Sequence, residues 1–252
     1  MIGLFRHPAR HAREESPKGW LALKNWNEEI EEIRVKRKEY ILQSAKRLLL
    51  EKDWNEVTIG NIAAEAGISR VTLYKYFNSM QDIIFELQVR SLREIATQMN
   101  RLGQKGSTGA ERLSLMMQGM LEVYRDQKEQ IRFVAMFDHH YRFTFPSEEF
   151  RLNYKAAIQH DFIDFRSTIR EGMQDGSLRD EFDPDLLSEM FTHSVLSLLS
   201  RMAVRGHLIQ KQWGLEPEEV VRYLTLFLSE FTKTSPNPEL FKGARPQVVH
   251  DD

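Results

Sequence analysis

Residues 57–82 read VTIGNIAAEAGISRVTLYKYFNSMQD, and their punctuation predicts two short helices around a tight turn, followed by the start of a third. Thr58 is placed as an N-cap with Asn61 at N3, and Val57 and Ile62 are spaced as a hydrophobic staple. Ile59, Ile62, Ala63 and Ala66 share one helical face. Gly67 supplies the positive φ that ends a helix, and Ile68 is the apolar residue that tucks between the two. Ser69 caps the second helix, about two turns long. Its Leu73 and Phe77 are four apart and face inward, while Arg70, Val71, Tyr74 and Lys75 face out, flanked by Thr72 and Tyr76. Ser79 to Asp82 forms a capping box that opens a longer helix.

The pattern is a helix-turn-helix. The outward set of its second helix suits a major groove: cations and hydroxyls for phosphates, and Thr72, Arg70 or Lys75 for base edges. The alternative is a short surface helix of an all-α protein, because this geometry also occurs without DNA. Thr58, Ile62-Ala63, Ala66-Gly67-Ile68-Ser69, Thr72-Leu73-Tyr74, Tyr76-Phe77 and Asp82-Ile83 carry a resemblance to the DNA-binding domain of TetR-family transcriptional regulators. With the preceding helix, it covers roughly residues 36–90. Val71 stands where that family often has Gly, and Met80 where it often has Lys; both bear on the details of DNA contact.

Outward from this stretch, the 252 residues suffice for one large or two small domains with a sizeable core. The net charge of −2 makes any nucleic-acid surface a local one. From Arg34 to Arg90 there are ten Lys/Arg against seven Asp/Glu, an excess of three. The absence of cysteine excludes disulfides, thiolate catalysis and Cys-ligated zinc, and agrees with a cytoplasmic location. No run of about 18 apolar residues predicts a membrane span, and the first residues lack a secretory core.

Residues 1–35 form an N-terminal extension: a basic arm (Arg6, His7, Arg10, His11, Arg13), then an amphipathic helix from Ser16-Pro17 with Trp20, Leu23, Trp26, Ile30 and Ile33 on one side. The arm reads as an irregular tail or as a minor-groove contact. The helix is expected to pack on the DNA-binding domain or on a second subunit. Arg34, Lys36, Arg37 and Lys38 are either a solvated face or phosphate contacts. The DNA-binding domain is placed at 36–82, a sensing and dimerisation domain at 83–234, and an irregular tail at 235–252. A first helix ends near Lys52, another runs from Asp82 to about Leu102, and Gly103 to Gly109 is a break. Helices follow over Ala110–Tyr124, Gln127–His139, Ser147 to about Asp175, and from Asp183-Pro184 onward. The fold class is therefore all-α.

The resemblance implies operator contact by Lys38, Thr58, Ser69, Arg70, Val71, Thr72, Tyr74, Lys75 and Tyr76. It also implies a ligand pocket in the Met- and Phe-rich middle, for which Met116, Met120, Phe133, Phe137, Phe162, Phe165, Met173 and Phe191 are the candidates; singly each reads as core. The last two helices carry wide apolar bands. The width fits ordinary burial within the chain or burial against a second copy; the resemblance implies the latter, which places Met190, Val195, Leu198, Leu199, Met202, Leu224, Phe227 and Phe231 at a homodimer interface, a four-helix bundle about a two-fold axis. Asp138, His139, His140, His160, Asp161, Asp164 and His193 could ligate a metal, with His160 and Asp164 four apart on one face; without a second matched pair, no metal or other cofactor is expected. No phosphate loop, G-x-S-x-G or H-E-x-x-H is present, which disfavours an enzyme. The expected function is a TetR-like regulator, a repressor released from double-stranded operator DNA by a small hydrophobic or aromatic effector. The alternatives are an architectural DNA-bound protein of the same fold without a ligand, and a helical metal protein or enzyme.

Overall fold

The computed structural model describes residues 17–160 and 163–237, with side chains over 28–158 and 163–237. The basic arm, Ser16, Asp161, Phe162, Pro238 and Pro246, and the side chains of Trp20, Leu23, Trp26 and His160, lie outside the described residues. Ten helices follow in order: α1 Pro17–Glu51, α2 Ile59–Glu65, α3 Arg70–Leu73, α4 Met80–Gly103, α5 Gly109–Asp126, α6 Lys128–His140, α7 Glu148–His160, α8 Phe165–Gln174, α9 Pro184–Trp213 and α10 Pro217–Phe231. Among the described residues, β-structure is confined to an isolated bridge between Leu178 and Lys233. No described helix is long and apolar enough to cross a membrane.

Two boundaries differ from the pattern reading. The amphipathic segment from Pro17 and the helix expected around Tyr40 are one continuous helix of 35 residues, because neither Gly nor Pro occurs between Trp20 and Glu51 to interrupt it. Ile30, Ile33 and Val35 on it are exposed, so this stretch is not buried on its own protomer's DNA-binding head. The helix expected from Ser147 to about Asp175 is two, α7 and α8. Asp164 breaks it: its carboxylate accepts from the Ser167 amide at 3.3 Å as an N-cap. The Asp164 amide is held at 2.9 Å by Asn100 of α4. Apolar periodicity continues across such a break, so only the D-x-x-S capping pattern marks it.

The buried side chains form two cores. The head core joins Ile41, Leu42, Ala45 and Leu49 of α1, Ile62 and Ala63 of α2, and Leu73 and Phe77 around α3. It extends past residue 82, taking in Ile83, Ile84 and Leu87 of α4 and Phe133 and Phe137 of α6. Trp54 closes the C-terminus of α1, its buried indole N–H donating to the Leu49 carbonyl at 2.8 Å. The body core is built around α5, which packs on α4, α8 and α10, and contains Met99, Leu113, Met116, Met120, Phe165, Phe191 and Val221.

An ionic cluster joins head to body. Glu86 of α4 accepts from Lys38 of α1 at 2.7 Å and from Arg90 at 2.6 Å, and Arg90 also engages Glu39. Burial opposes the Arg90 charge, but the hydrogen bonds it donates to Glu39 and Glu86 outweigh it and hold the guanidinium above its ordinary pKa.

Candidate functional site

The turn that positions α3 is built from local hydrogen bonds. The Thr58 hydroxyl accepts from the Asn61 amide at 3.2 Å, and the Asn61 side chain accepts from the Thr58 amide at 2.9 Å. Gly67 has φ 63°, and the Ile68 amide turns back to the Ala63 carbonyl at 2.9 Å. Ser69 then caps α3 by accepting from the Thr72 amide at 3.0 Å. The helical turn of α3 continues through Tyr74, and the Tyr76 and Phe77 amides both bond to the Leu73 carbonyl. Leu73 and Phe77 are buried in the head core, which fixes the rotation of the opposite face.

That opposite face presents Val71, 72% exposed, with Tyr74 and Lys75 also exposed. Lys75 and Arg70 have no ion-pair partner among the described residues. Arg70 lies back over α2, where a Cβ on Gly60 would come within 2.3 Å of its guanidinium. Thr72 is half-buried, with its hydroxyl 2.9 Å from that of Ser69. Thr58 and Ser69 are exposed with their side chains engaged as caps. Two of the residues expected at DNA are tied inward instead. Tyr76 packs against the head core. Lys38 is half-buried, paired with Glu86 and 5.4 Å from the centre of the Phe77 ring, so its charge is largely met within the protein.

The body contains a cavity of about 1240 Å³ between α4, α6, α7, α8 and α9. Its lining is mixed: Leu92, Val134, Ile158, Ile163 and Leu196 alternate with polar groups that include Gln88, Asp138, Tyr154, Ser188 and His193. Among the described residues, none of those expected to bind a ligand lines it. Met116, Met120, Phe165 and Phe191 are buried in the body core, with Met173 packed against it, and Phe133 and Phe137 belong to the head core. Phe162 lies outside the described residues. The physical reason is that large apolar side chains close-pack and exclude space, so the empty volume is left where polar side chains meet. Gln88 carries a signal that pattern reading could have used: it is a polar residue among Ile84, Leu87 and Leu92 on the apolar side of α4.

Gln88 is fully buried and donates to the Tyr154 hydroxyl at 3.2 Å. Its side-chain oxygen has no partner. Burial pushes Tyr154 up to about 12, with a smaller contribution from the nearby Asp138 charge. Asp138 is accessible at the cavity wall, yet enough protein surrounds it that desolvation raises its carboxyl above the usual range.

The expected dimer residues divide. Val195, Leu199 and Met202 are buried in their own core, and Leu198 and Leu224 pack against it; the wide band on α9 is wide because α9 serves α6, α8 and α10 at once. Met190, Phe227 and Phe231 remain exposed, together with Leu186 at 71%. Phe227 and Phe231 stack 5.9 Å apart, and Phe182 lies 5.7 Å from Phe231.

Among the described residues no group of three His, Asp or Glu could hold a metal. The expected His160–Asp164 pair does not share a helix, since α7 ends at His160 and Asp164 caps α8. His140 sits against Trp54, 5.0 Å between ring centres, and burial lowers its pKa.

Residues 41–87 match the family described as bacterial regulatory proteins, tetR family. An HTH-type transcriptional regulator, SAB2452, of Staphylococcus aureus (strain bovine RF122 / ET3-1) is 22% identical over 163 residues, which is 65% of this chain and 82% of that protein. The HTH-type transcriptional regulator AlkX of Mycobacterium tuberculosis (strain ATCC 25618 / H37Rv) is 38% identical over 53 residues, 21% of this chain and 25% of AlkX. Among solved structures, the fatty acid degradation regulator FadR from Bacillus halodurans aligns with TM-score 0.60 at 15% identity, covering 77% of this chain and 94% of FadR. The ketosteroid transcriptional regulator KstR2 of Mycobacterium tuberculosis aligns with TM-score 0.56 at 16% identity, covering 79% and 96%. These structures share the fold. With the helix-turn-helix matched in sequence over residues 41–87 and the helical body matched in architecture, the chain carries a DNA-binding domain of the tetR family and is similar along its length to TetR-family transcriptional regulators.

Proposed function

We propose that this regulator is a dimeric repressor that leaves its operator when a small molecule occupies the cavity between α4, α6, α7, α8 and α9. Regulators of this family bind operator DNA and form dimers. The α3 face with Val71, Tyr74 and Lys75 would enter the major groove, with Arg70 swinging out from Gly60 to phosphate or base. Two copies would pair through the exposed Leu186, Met190, Phe227 and Phe231, setting the recognition helices about 34–36 Å apart for successive grooves.

The observation that carries the effector reading is the double role of α6. Val134 and Asp138 line the cavity, while Phe133 and Phe137, each one residue earlier, sit in the head core. A ligand that shifts α6 from the cavity side therefore bears directly on the head core, where Phe133 packs on Trp54. For a switch from 1:99 to 99:1 the ligand must prefer the released state by about 5.5 kcal/mol.

The test begins with DNA fragments selected by the protein from a genomic library. Fluorescence anisotropy on the best fragment should show binding that a cavity ligand, found by thermal shift, reverses. Ligands that stabilise the protein yet leave DNA affinity unchanged would refute the release mechanism. Sedimentation should show a dimer at micromolar concentration that Phe227→Glu dissociates; a monomeric parent would refute the pairing.

A further inference from the structure

We propose that the cavity selects an amphiphilic amine, with its protonated nitrogen at Asp138, Tyr154 and Gln88 and its apolar body along Leu92, Val134, Ile158 and Leu196. The inference rests on the cavity being the effector site and names the class of ligand it takes.

Three observations converge on the polar end. Gln88 is 0% exposed, its side-chain N–H donates to Tyr154, and its oxygen is left without a partner at the cavity wall. A buried polar atom of this kind is costly unless something meets it.

Asp138 is the second observation. It has no hydrogen bond or ion pair among the described residues, and burial alone acts on its carboxyl. The other charged groups around the cavity are already engaged. Arg166 reaches Asp185 at 3.4 Å and Glu189 at 3.3 Å; His193 lies 3.6 Å from Glu189. Asp164 caps α8, and Arg93 has its own interaction. Asp138 is thus the acid left for a ligand cation.

Third, Tyr154 accepts from Gln88, so its own hydroxyl proton is directed elsewhere, and its ring adds an electron-rich face next to the acid. An ammonium supplies up to three donors and a charge, which answers an unpaired amide oxygen and an unpaired carboxylate together. A carboxylate ligand would meet Asp138 as a like charge, and an alcohol would leave the charge unanswered.

Decylamine, decanoic acid and decan-1-ol share one chain and differ at the head, and they serve as probes on the full chain, below their aggregation limits, by isothermal titration at pH 7. Decylamine is expected to bind at least about tenfold tighter than either of the others, the range of a charge-assisted hydrogen bond. Asp138→Asn should erase that preference, with a melting temperature no lower than the parent's. Ser197→Trp, at a lining position, should block all three. Equal or tighter binding of decanoic acid, or a preference that survives Asp138→Asn, overturns the amine assignment and leaves the cavity as effector site if Ser197→Trp still blocks. Binding of all three unaffected by Ser197→Trp overturns the cavity reading and the amine assignment with it, as does binding of none.

Discussion

The head and the cavity of the body are assembled over different distances along the chain. In the head, the bonds that set α3 join residues three to five apart: Thr58 to Asn61, Ala63 to Ile68, Ser69 to Thr72, Ser79 to Asp82. In the cavity, Gln88 meets Tyr154 across 66 residues, and the wall is shared by side chains from residue 88 to residue 200. Local bonds make the recognition helix rigid at small entropic cost, since the loops they close are short. The cavity depends on how five helices happen to approach, which leaves it easier to deform and better suited to respond. Phe133 and Phe137 cross this divide, because they come from α6 yet complete the head core.

Breaking that crossing should have the largest effect. Phe137→Ala removes a side chain that is 1% exposed, and is expected to destabilise by about 3–5 kcal/mol. Denaturant unfolding should show the loss, with operator affinity falling as well. A variant that lost stability but kept full DNA affinity would show that the head stands without α6.

Lys75→Ala tests the surface of the head without touching its scaffold. Operator affinity is expected to fall by about 1–2 kcal/mol, and the slope of log affinity against log salt to flatten by about 0.9 for one phosphate released. Anisotropy titrations at several salt concentrations check both, with circular dichroism confirming an unchanged fold.

A cap sharpens the local side of the comparison. Thr58→Ala is expected to cost about 1 kcal/mol, seen as a lowered urea midpoint with an unchanged slope. Faster exchange of amides in α2 alone would confirm that the cap acts locally.

The smallest effect belongs to Asp138 in the body. Its carboxyl pKa is raised in the fold by desolvation, so the ionised form is penalised there. Below the ordinary carboxylate range both folded and unfolded chains are protonated and no penalty exists. As pH rises through that range to the raised pKa, the penalty grows, and above it stays constant. Asp138→Asn should therefore match the parent in melting temperature at acid pH and exceed it slightly at neutral pH. The opposite trend would mean that the carboxylate is already compensated in the empty protein.

What could be read from the chain follows the same division. Thr58, Gly67, Ser69, Ser79 and Asp183 announce their caps and turns because each acts on neighbours within a few residues, and the structure has every one of them in place. The all-α class and the family followed from those signals. The cavity did not, because apolar content marks where side chains pack and not where they leave room. Phe165 and Phe191, which looked suited to a ligand, are 5.5 Å apart in a closed core. The width of the band on α9 suggests an intersubunit face, but Val195 and Leu199 answer helices of their own protomer. Lys38 is paired with Glu86, 48 positions later, a partner that local spacing does not reveal.

The two faces of α6 have a consequence for genetics. Successive residues on a helix point about 100° apart, so 133 and 137 form one series and 134 and 138 another, interleaved along thirteen residues. A saturation screen of this helix in a reporter strain should sort into two phenotypes that alternate along the gene. On the proposed repressor function, changes in the first series should leave the reporter permanently on, because the protein no longer holds DNA. Conservative changes in the second should leave it off but deaf to inducer, or answering a different one. Neighbouring codons would then separate loss of grip from loss of hearing.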